Sequence, residues 1–233
     1  MVLKKKDFIE IEYTGKVVGG EIFDSNITED LKNSNLSLKA KPFIFCLGEG
    51  MFLNSIEDFL IGKSPEKNTY KLTLTPDKAF GNRLSKLIQV IPMRVFIEKK
   101  INPYPGALFN FDGRVAKVLS VSGGRVMVDF NNPLAGKTVE YKINLLRQVN
   151  DVNEQIKAFI DFLFKKDFDF EIKEKKIIIK VEKQLVDFIK LFSEKFKDIF
   201  SMELEVQEIE NKGKNTENTK EKLNQENTEL TLQ

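Results

Sequence analysis

Two short runs in this chain bring aromatic rings and a single acid to the ends of strands. The first, Gly19 to Asp24 (GGEIFD), closes on Phe23 and Asp24, and the second, Lys41 to Gly48 (KPFIFCLG), carries Phe43, Phe45 and Cys46. Together they frame an apolar hole the size of a proline ring, with Asp24 beside it. Hydrolysis, phosphoryl transfer or metal chemistry would need a nucleophile with its base, a phosphate cradle or a ligand cluster. The chain has no histidine at all, which excludes imidazole bases, Ser–His triads and His-containing metal sites. Aromatic walls around one carboxylate suit a reaction in which no covalent bond breaks, namely rotation about the peptide bond before proline. Each residue also has a plainer use. An aromatic in a strand is usually core, Asp24 before Ser25 and Asn26 fits a turn, and the Tyr13 hydroxyl could satisfy a buried acceptor. Only their joint placement in order favours the functional use.

The totals agree with that choice. The 233 residues are 41% hydrophobic, enough for one large domain or two to three small ones, and Phe supplies 20 of the 24 aromatics. Lys and Arg (37) nearly balance Asp and Glu (35), which argues against a dedicated nucleic-acid binder. The single cysteine, Cys46, cannot form an internal disulfide and sits between Phe45 and Leu47, so it reads as a core residue in a reducing compartment. The N-terminal MVLKKKD has no apolar run, and no stretch nears the ~20 apolar residues of a membrane span. A soluble, cytoplasmic protein without membrane contact is expected. Lys4 to Lys6 read as a solvated terminus.

The elements follow from periodicity. Ile9, Ile11 and Tyr13 alternate with Glu10, Glu12 and Thr14, which predicts a half-buried strand over 7–18. Gly19-Gly20 is a two-residue hairpin signal leading to the return strand at Ile22 to Asp24. Residues 25–40 are polar and read as a long loop, followed by a strand from Phe43 to Leu47. Leu53, Ile56 and Leu60, with Phe52 and Phe59 beside them, have helical spacing, and Gly62 stands where a C′ glycine belongs. Tyr70, Leu72 and Leu74 alternate again. From Ser85 to about Phe130 lies a β-rich unit punctuated by Asn102 to Gly106, Asp112-Gly113 and Ser122 to Gly124. Val139, Tyr141, Ile143 and Leu145 form a last strand, assigned back to the first domain. Beyond Gln148 the pattern predicts helix (about 152–165), strands (168–172 and 175–181), helix (184–200) and strand (202–209). Residues 211–233 lack aromatics and are expected to be disordered.

Five separated motifs, in order, carry a resemblance: VLKKKDFIEIEYTG (2–15), GGEIFD (19–24), KPFIFCLGEG (41–50), PDKAFG (76–81) and VDFNNPLAGK (128–137). Over about residues 2–149 the chain resembles FKBP-type peptidyl-prolyl isomerases. More narrowly it is similar to the SlyD branch, with an inserted-in-flap chaperone domain, in the long form with a C-terminal domain typical of archaea. The resemblance implies an α+β multi-domain protein. An FKBP-like antiparallel sheet wrapped on one short helix would take 1–84 and 131–149. The inserted-in-flap domain would take 85–130, an α+β C-terminal domain 151–209 and a disordered tail 210–233. Domain order alone supports the part after 151.

The resemblance also implies roles. Tyr13, Phe23, Phe43, Phe80 and Tyr141 would wall the pocket, with Asp24 at its edge facing the prolyl amide. Phe52, Leu53 and Ile56 would form the floor, the Leu53 N–H binding a substrate carbonyl. Phe96, Ile97, Leu108, Phe109 and Phe111 either form an exposed face that holds unfolded chains or fill the insert's own small core. The expected partners are unfolded or proline-containing polypeptides, with no nucleic acid, metal or cofactor. The face of Leu185, Phe188, Ile189, Phe192 and Phe196 either packs on its own strands or makes a homodimer through the C-terminal domain. Several positions depart from the family: Ile56 for the usual Trp, Ser55 for Gly, Phe80 for Tyr and Asn132 for His. An Arg before Phe43 and a His- and Cys-rich metal tail are missing. The expectation is a working, slow isomerase with weak macrolide binding, set against a catalytically weak holdase that keeps the fold.

Overall fold

The alternation at Ile9 and Ile11 builds the central strand of the first sheet. The structure is a computed structural model describing residues 2–32, 34, 40–64, 68–111 and 113–209. The tail after 209, expected to be disordered, and residues 33 and 35–39 of the expected loop lie outside the described residues. The chain divides into two compact units, Met1–Phe159 and the described residues of Ile160–Gln233.

In the first unit, β1 (Phe8–Val17) pairs antiparallel with β2 (Ile22–Ser25). Gly19 takes the positive φ of the turn between them (71°), whereas Gly20 keeps an ordinary φ and its N–H donates to the Val17 carbonyl at 2.8 Å. The stretch after β2 is not all loop: α1 (Thr28–Lys32) forms there. Its Asp30 accepts hydrogen bonds from Thr14 and from Ser25 Oγ, the latter at 2.8 Å. These bonds tie the short helix to the hairpin, a tertiary gain that composition does not reveal.

Next come β3 (Phe43–Cys46), α2 (Asn54–Leu60) and β4 (Thr69–Leu74). The helix turns Ile56 and Leu60 inward, both fully buried, worth about 1.5–3 kcal/mol each in removed apolar surface. It ends at Ile61, with Gly62 at φ 82° donating its N–H to the Leu3 carbonyl at 2.8 Å.

The chain then leaves for a second sheet: β5 (Ile88–Pro92), α3 (Met93–Glu98), β6 (Leu108–Phe111), β7 (Arg114–Ser122) and β8 (Arg125–Asp129), in the order β5-β8-β7-β6. Its core is Phe96, Ala107, Ala116, Val118, Val126 and Val128. Asn131 clamps the two crossings of the chain. Its Oδ1 accepts the Leu84 N–H (2.8 Å) and its Nδ2 donates to the Leu84 carbonyl (3.0 Å) and to Asp129 Oδ1 (2.6 Å). Arg83 closes the same neck on Asp129 Oδ2 through Nε (2.9 Å) and Nη2 (2.7 Å).

After the neck, β9 (Val139–Gln148) returns to the first sheet and pairs with both β1 and β4. That sheet runs β2-β1-β9-β4, with β3 also on β1. It therefore draws strands from both sides of the insertion. The unit boundary falls inside α4 (Val152–Phe164).

In the second unit, β10 (Phe170–Lys173) pairs antiparallel with β11 (Lys176–Val181), and β11 pairs parallel with β12 (Glu203–Glu208). The expected long helix is two helices, α5 (Lys183–Lys190) and α6 (Ser193–Phe200). Ser193 Oγ donates to the Lys190 carbonyl at 2.7 Å, and Phe192 sits at φ −93°, ψ 4°, off the helical path. Both helices lie on β12, with Ile189 and Phe196 fully buried. Phe188 and Phe192 instead join Phe164 and Phe168 in an aromatic cluster. The architecture is mixed α+β, mostly antiparallel, with few helices. Among the described residues no helix is long and apolar enough to cross a membrane.

Candidate functional site

Three adjacent strands set the geometry of the site. Gly15 in the middle of β1 faces Asp24 on β2 and Tyr141 on β9. The absent side chain leaves room for two rings: a Cβ on Gly15 would stand 2.8 Å from Tyr141 Cε1 and 3.1 Å from Phe23 Cζ. Tyr13, two residues earlier on the same face, donates its hydroxyl to Asp24 Oδ2 at 3.1 Å.

The rings then meet in sequence, edge to face except for the tilted pair Tyr13–Phe52 (54°). Phe23 packs on Phe80 (centroids 5.5 Å apart) and on Tyr141 (5.8 Å). Phe52 touches Tyr13 (4.8 Å), Phe43 (5.7 Å) and Tyr141 (5.7 Å). Such T-shaped contacts are worth about 0.5–1.5 kcal/mol each beyond buried area. Tyr141 is nearly closed off from solvent, whereas Tyr13, Phe23, Asp24, Phe43, Phe52 and Phe80 are half-buried and line an aromatic cup. Ile56 is fully buried on the inner side of α2. Leu53 is the N-cap of α2. Its carbonyl accepts from Ile56 and Glu57, and no described group accepts its N–H.

Electrostatics follow from this burial. Desolvation raises the Asp24 carboxyl above its ordinary value, and hydrogen bonds from Tyr13 and the Ser25 backbone recover part of that cost. Burial first, and the Asp24 charge second, push both the Tyr13 and Tyr141 hydroxyls well up, so they stay protonated. The half-buried rings thus surround a lone carboxylate and a neutral hydroxyl. Among the described residues no group of three or more His, Cys, Asp or Glu could hold a metal ion.

The positioning roles of four residues escaped the sequence reading, although Ser55 stands there as a departure from the family. Glu57 is buried on α2 and accepts the N–H groups of Gly48 (2.7 Å), Gly50 (3.1 Å) and Phe52 (2.7 Å), which shapes the turn that presents Phe52. Its visible signal is an acid beside an apolar helix face, preceded by two glycines. Asn26 accepts the Tyr13 N–H (2.7 Å) and donates to the Ile11 and Lys41 carbonyls (3.0 and 3.1 Å). Ser55 donates to the Lys78 carbonyl at 2.7 Å, tying α2 to the turn that leads to Phe80. Gly15 is the fourth.

On the insert the five candidates separate. Phe96 is core, a correction to its placement on an exposed face, because α3 points it between the strands. Phe109 and Phe111 pack half-buried against it. Ile97 and Leu108 stand in solvent.

Cys46 is fully buried with its N–H on Met51 Sδ. Burial, with Glu49 and Glu57 adding to it, pushes the thiol up to about 12 from 9.0. Alkylation by iodoacetamide at pH 8 should accordingly be two to three orders of magnitude slower (~10²–10³-fold) in the native than in the denatured chain. Comparable rates would show the thiol to be accessible.

Comparisons with known proteins bear on the family of the chain. A family model described as the FKBP26 IF domain matches residues 89–134. The short-type peptidyl-prolyl cis-trans isomerase of Methanocaldococcus jannaschii is 31% identical over 148 residues, spanning 62% of this chain and 92% of that one. The FKBP-type 16 kDa isomerase of Escherichia coli strain K12 is 34% identical over 129 residues, 53% of this chain and 81% of its own. The SlyD isomerase of Treponema pallidum is 28% identical over 167 residues, 70% and 86% respectively. The chain belongs to the FKBP-type peptidyl-prolyl cis-trans isomerase family. Within it, the chain is an isomerase of the SlyD-like kind.

Proposed function

We propose that the chain accelerates rotation of X–Pro bonds in unfolded and partly folded polypeptides, with the cup around Asp24 as the prolyl site and the insert, 85–130, as the holder of client chains. The isomerase domain would comprise 1–84 with 131–149, and 151–209 a further α+β domain that is a candidate homodimer contact. The setting would be cytoplasmic. One observation carries the catalytic reading: Tyr13, Phe23, Phe43, Phe52, Phe80 and Tyr141 join in one ring network around a single half-buried carboxylate.

The chemistry is conformational. An amide resists rotation by roughly 18–20 kcal/mol because resonance must be lost. The twisted form is less polar than the planar one, so an apolar, partly dry cup favours it. Asp24, if it faces the carbonyl-oxygen end of the amide, would penalise the larger dipole of the planar form more than the twisted one. The Leu53 N–H, at the start of α2, would donate to a substrate carbonyl. Lowering the barrier by about 5 kcal/mol corresponds to a few-thousand-fold acceleration.

If the charge on Asp24 contributes, turnover of a proline tetrapeptide should fall as pH drops through a midpoint above the ordinary 3.8, since the raised carboxyl is ionised above that midpoint and protonated below it. Asp24→Asn should flatten that limb. An unchanged acid limb in the variant would remove Asp24 from the account.

The holding function rests on apolar side chains left in solvent on the insert, Ile97 and Leu108 being the most exposed of its aliphatic residues. Light scattering of an aggregating unfolded client tests it in the full chain. Ile97→Ser with Leu108→Ser should weaken suppression by about tenfold or more, given ~1.5–3 kcal/mol per buried apolar side chain. Peptide turnover should be unaltered. Full suppression by the double variant would sink the holding role.

A further inference from the structure

We infer that the solvent-facing side of the β5-β8-β7-β6 sheet takes extended client segments in which acidic residues alternate with apolar ones. The inference rests on the holding role of the insert and adds its preferred ligand class.

The register fixes which residues share that side. Paired residues of antiparallel strands point to one face. Val90 pairs with Met127, and Met127 with Ser120; Pro92 and Ser122 pair with Arg125; Lys117 pairs with Leu108 and Asp129; Val115 pairs with Asn110. All of these lie opposite the core face of Ala116, Val118, Val126 and Val128. A one-residue irregularity between Val118 and Ser120 keeps Val121 on the core side. The outer face thus exposes Val90 (58%), Leu108 (60%), Val115 (57%) and Met127 (39%), four apolar residues that the insert's own packing leaves uncovered.

Apart from the already paired Asp129, the charge on this face is positive among the described residues. Residues 85–130 contain seven Lys and Arg against three Asp and Glu, whereas the rest of the chain carries 30 basic and 32 acidic residues. On the outer face the cations are Lys117 and Arg125, both exposed. The one described carboxylate there, Asp129, lies across from Lys117, but its oxygens are already taken by Arg83 and Asn131. A positively charged client would meet uncompensated cations, and an acidic one would be paired.

The spacing sets the pattern. Leu108 shares a row with Lys117, Asp129 and Ile88, and Val90 pairs with Met127 two residues along, so the step to Leu108 is about 12 Å from Met127 and about 16 Å from Val90, at ~4.8 Å per strand interval and ~3.4 Å per residue. An extended chain places residues i, i+2 and i+4 on one side over about 13 Å. An apolar residue, an acid two positions on and a second apolar residue two beyond it would meet Val90 with Met127, then Lys117, then Leu108.

The test is anisotropy of labelled, proline-free peptides with the full chain, so that the prolyl cup is not engaged. Three peptides share a Leu-x-Z-x-Leu centre and differ only in Z: Glu, Gln or Lys. At low salt the Glu peptide should bind about tenfold more tightly than the Lys peptide, because the exchange replaces an attractive pair of partly exposed charges by a repulsive one. The difference should shrink as added salt shortens the screening length. Lys117→Glu should reverse the order, and Arg125→Glu, at an independent exposed position, should weaken the preference. Equal affinity for all three peptides, or an order untouched by both substitutions, would overturn the acidic preference while leaving the holding role standing. No binding of any peptide, together with no suppression of client aggregation, would overturn both.

Discussion

Tyr141→Ala should lower kcat/KM for a proline tetrapeptide by about 100-fold, or ~2.7 kcal/mol of barrier. Tyr141 is the ring on which the network turns, since Tyr13, Phe23 and Phe52 all pack on it. Without it the cup loses its base and admits water, and the planar amide regains the solvation that the cup withholds. Its hydroxyl donates to no described group, so Tyr141→Phe should stay within about threefold of the parent, because the site depends on the apolar face of the ring. The truncation also opens a cavity, at a cost of about 3–5 kcal/mol. Urea unfolding curves must therefore show the variant folded under assay conditions. Loss of activity in Tyr141→Phe equal to that in Tyr141→Ala would mean that the hydroxyl matters and the apolar account is wrong.

Gly15→Val should abolish most activity without removing any group from the cup. A Cβ at this position would lie 2.8 Å from the Tyr141 ring, closer than packed carbon atoms come, and the β-branched methyls would press further on Phe23. Gly15 is held in register on both sides, by β2 and β9, so the rings must give way and move into the space meant for proline. The expected loss in kcat/KM is at least about 30-fold, seen chiefly as a raised KM, with a stability cost of about 1–3 kcal/mol from overpacking. Gly15→Ala should show a smaller effect in the same direction. Retention of parental KM in Gly15→Val would place the prolyl site elsewhere.

The strands that carry the cup were legible because alternation is a local pattern. Ile9, Ile11 and Tyr13, like Val139, Tyr141 and Ile143, each mark a buried face, and these segments are β1 and β9. No local pattern assigns the last strand to the first sheet; that placement depends on its pairing with β1 and β4, strands distant in sequence. What remained hidden depends on partners distant in sequence. Asn26 and Glu57 look like ordinary polar residues until the backbone groups they satisfy are brought to them. Gly15 reads as a weak spot in a strand, and its meaning lies in two rings from other strands. The division between α5 and α6 depends on one serine bonding back to Lys190, which helical periodicity cannot register. Phe96 and Ile97 are neighbours of similar hydrophobicity, and only the direction of α3 makes one core and the other exposed.

The most direct measurement is cis–trans exchange of a Phe-Pro tetrapeptide by magnetisation-transfer NMR, which needs no coupling protease, with the intact chain in catalytic amounts. A rate well above the uncatalysed one that falls in Tyr141→Ala and Gly15→Val but persists in Tyr141→Phe is the predicted result. Exchange no faster than in buffer, or an enhancement that both cup variants leave untouched, would contradict a prolyl site formed by these rings.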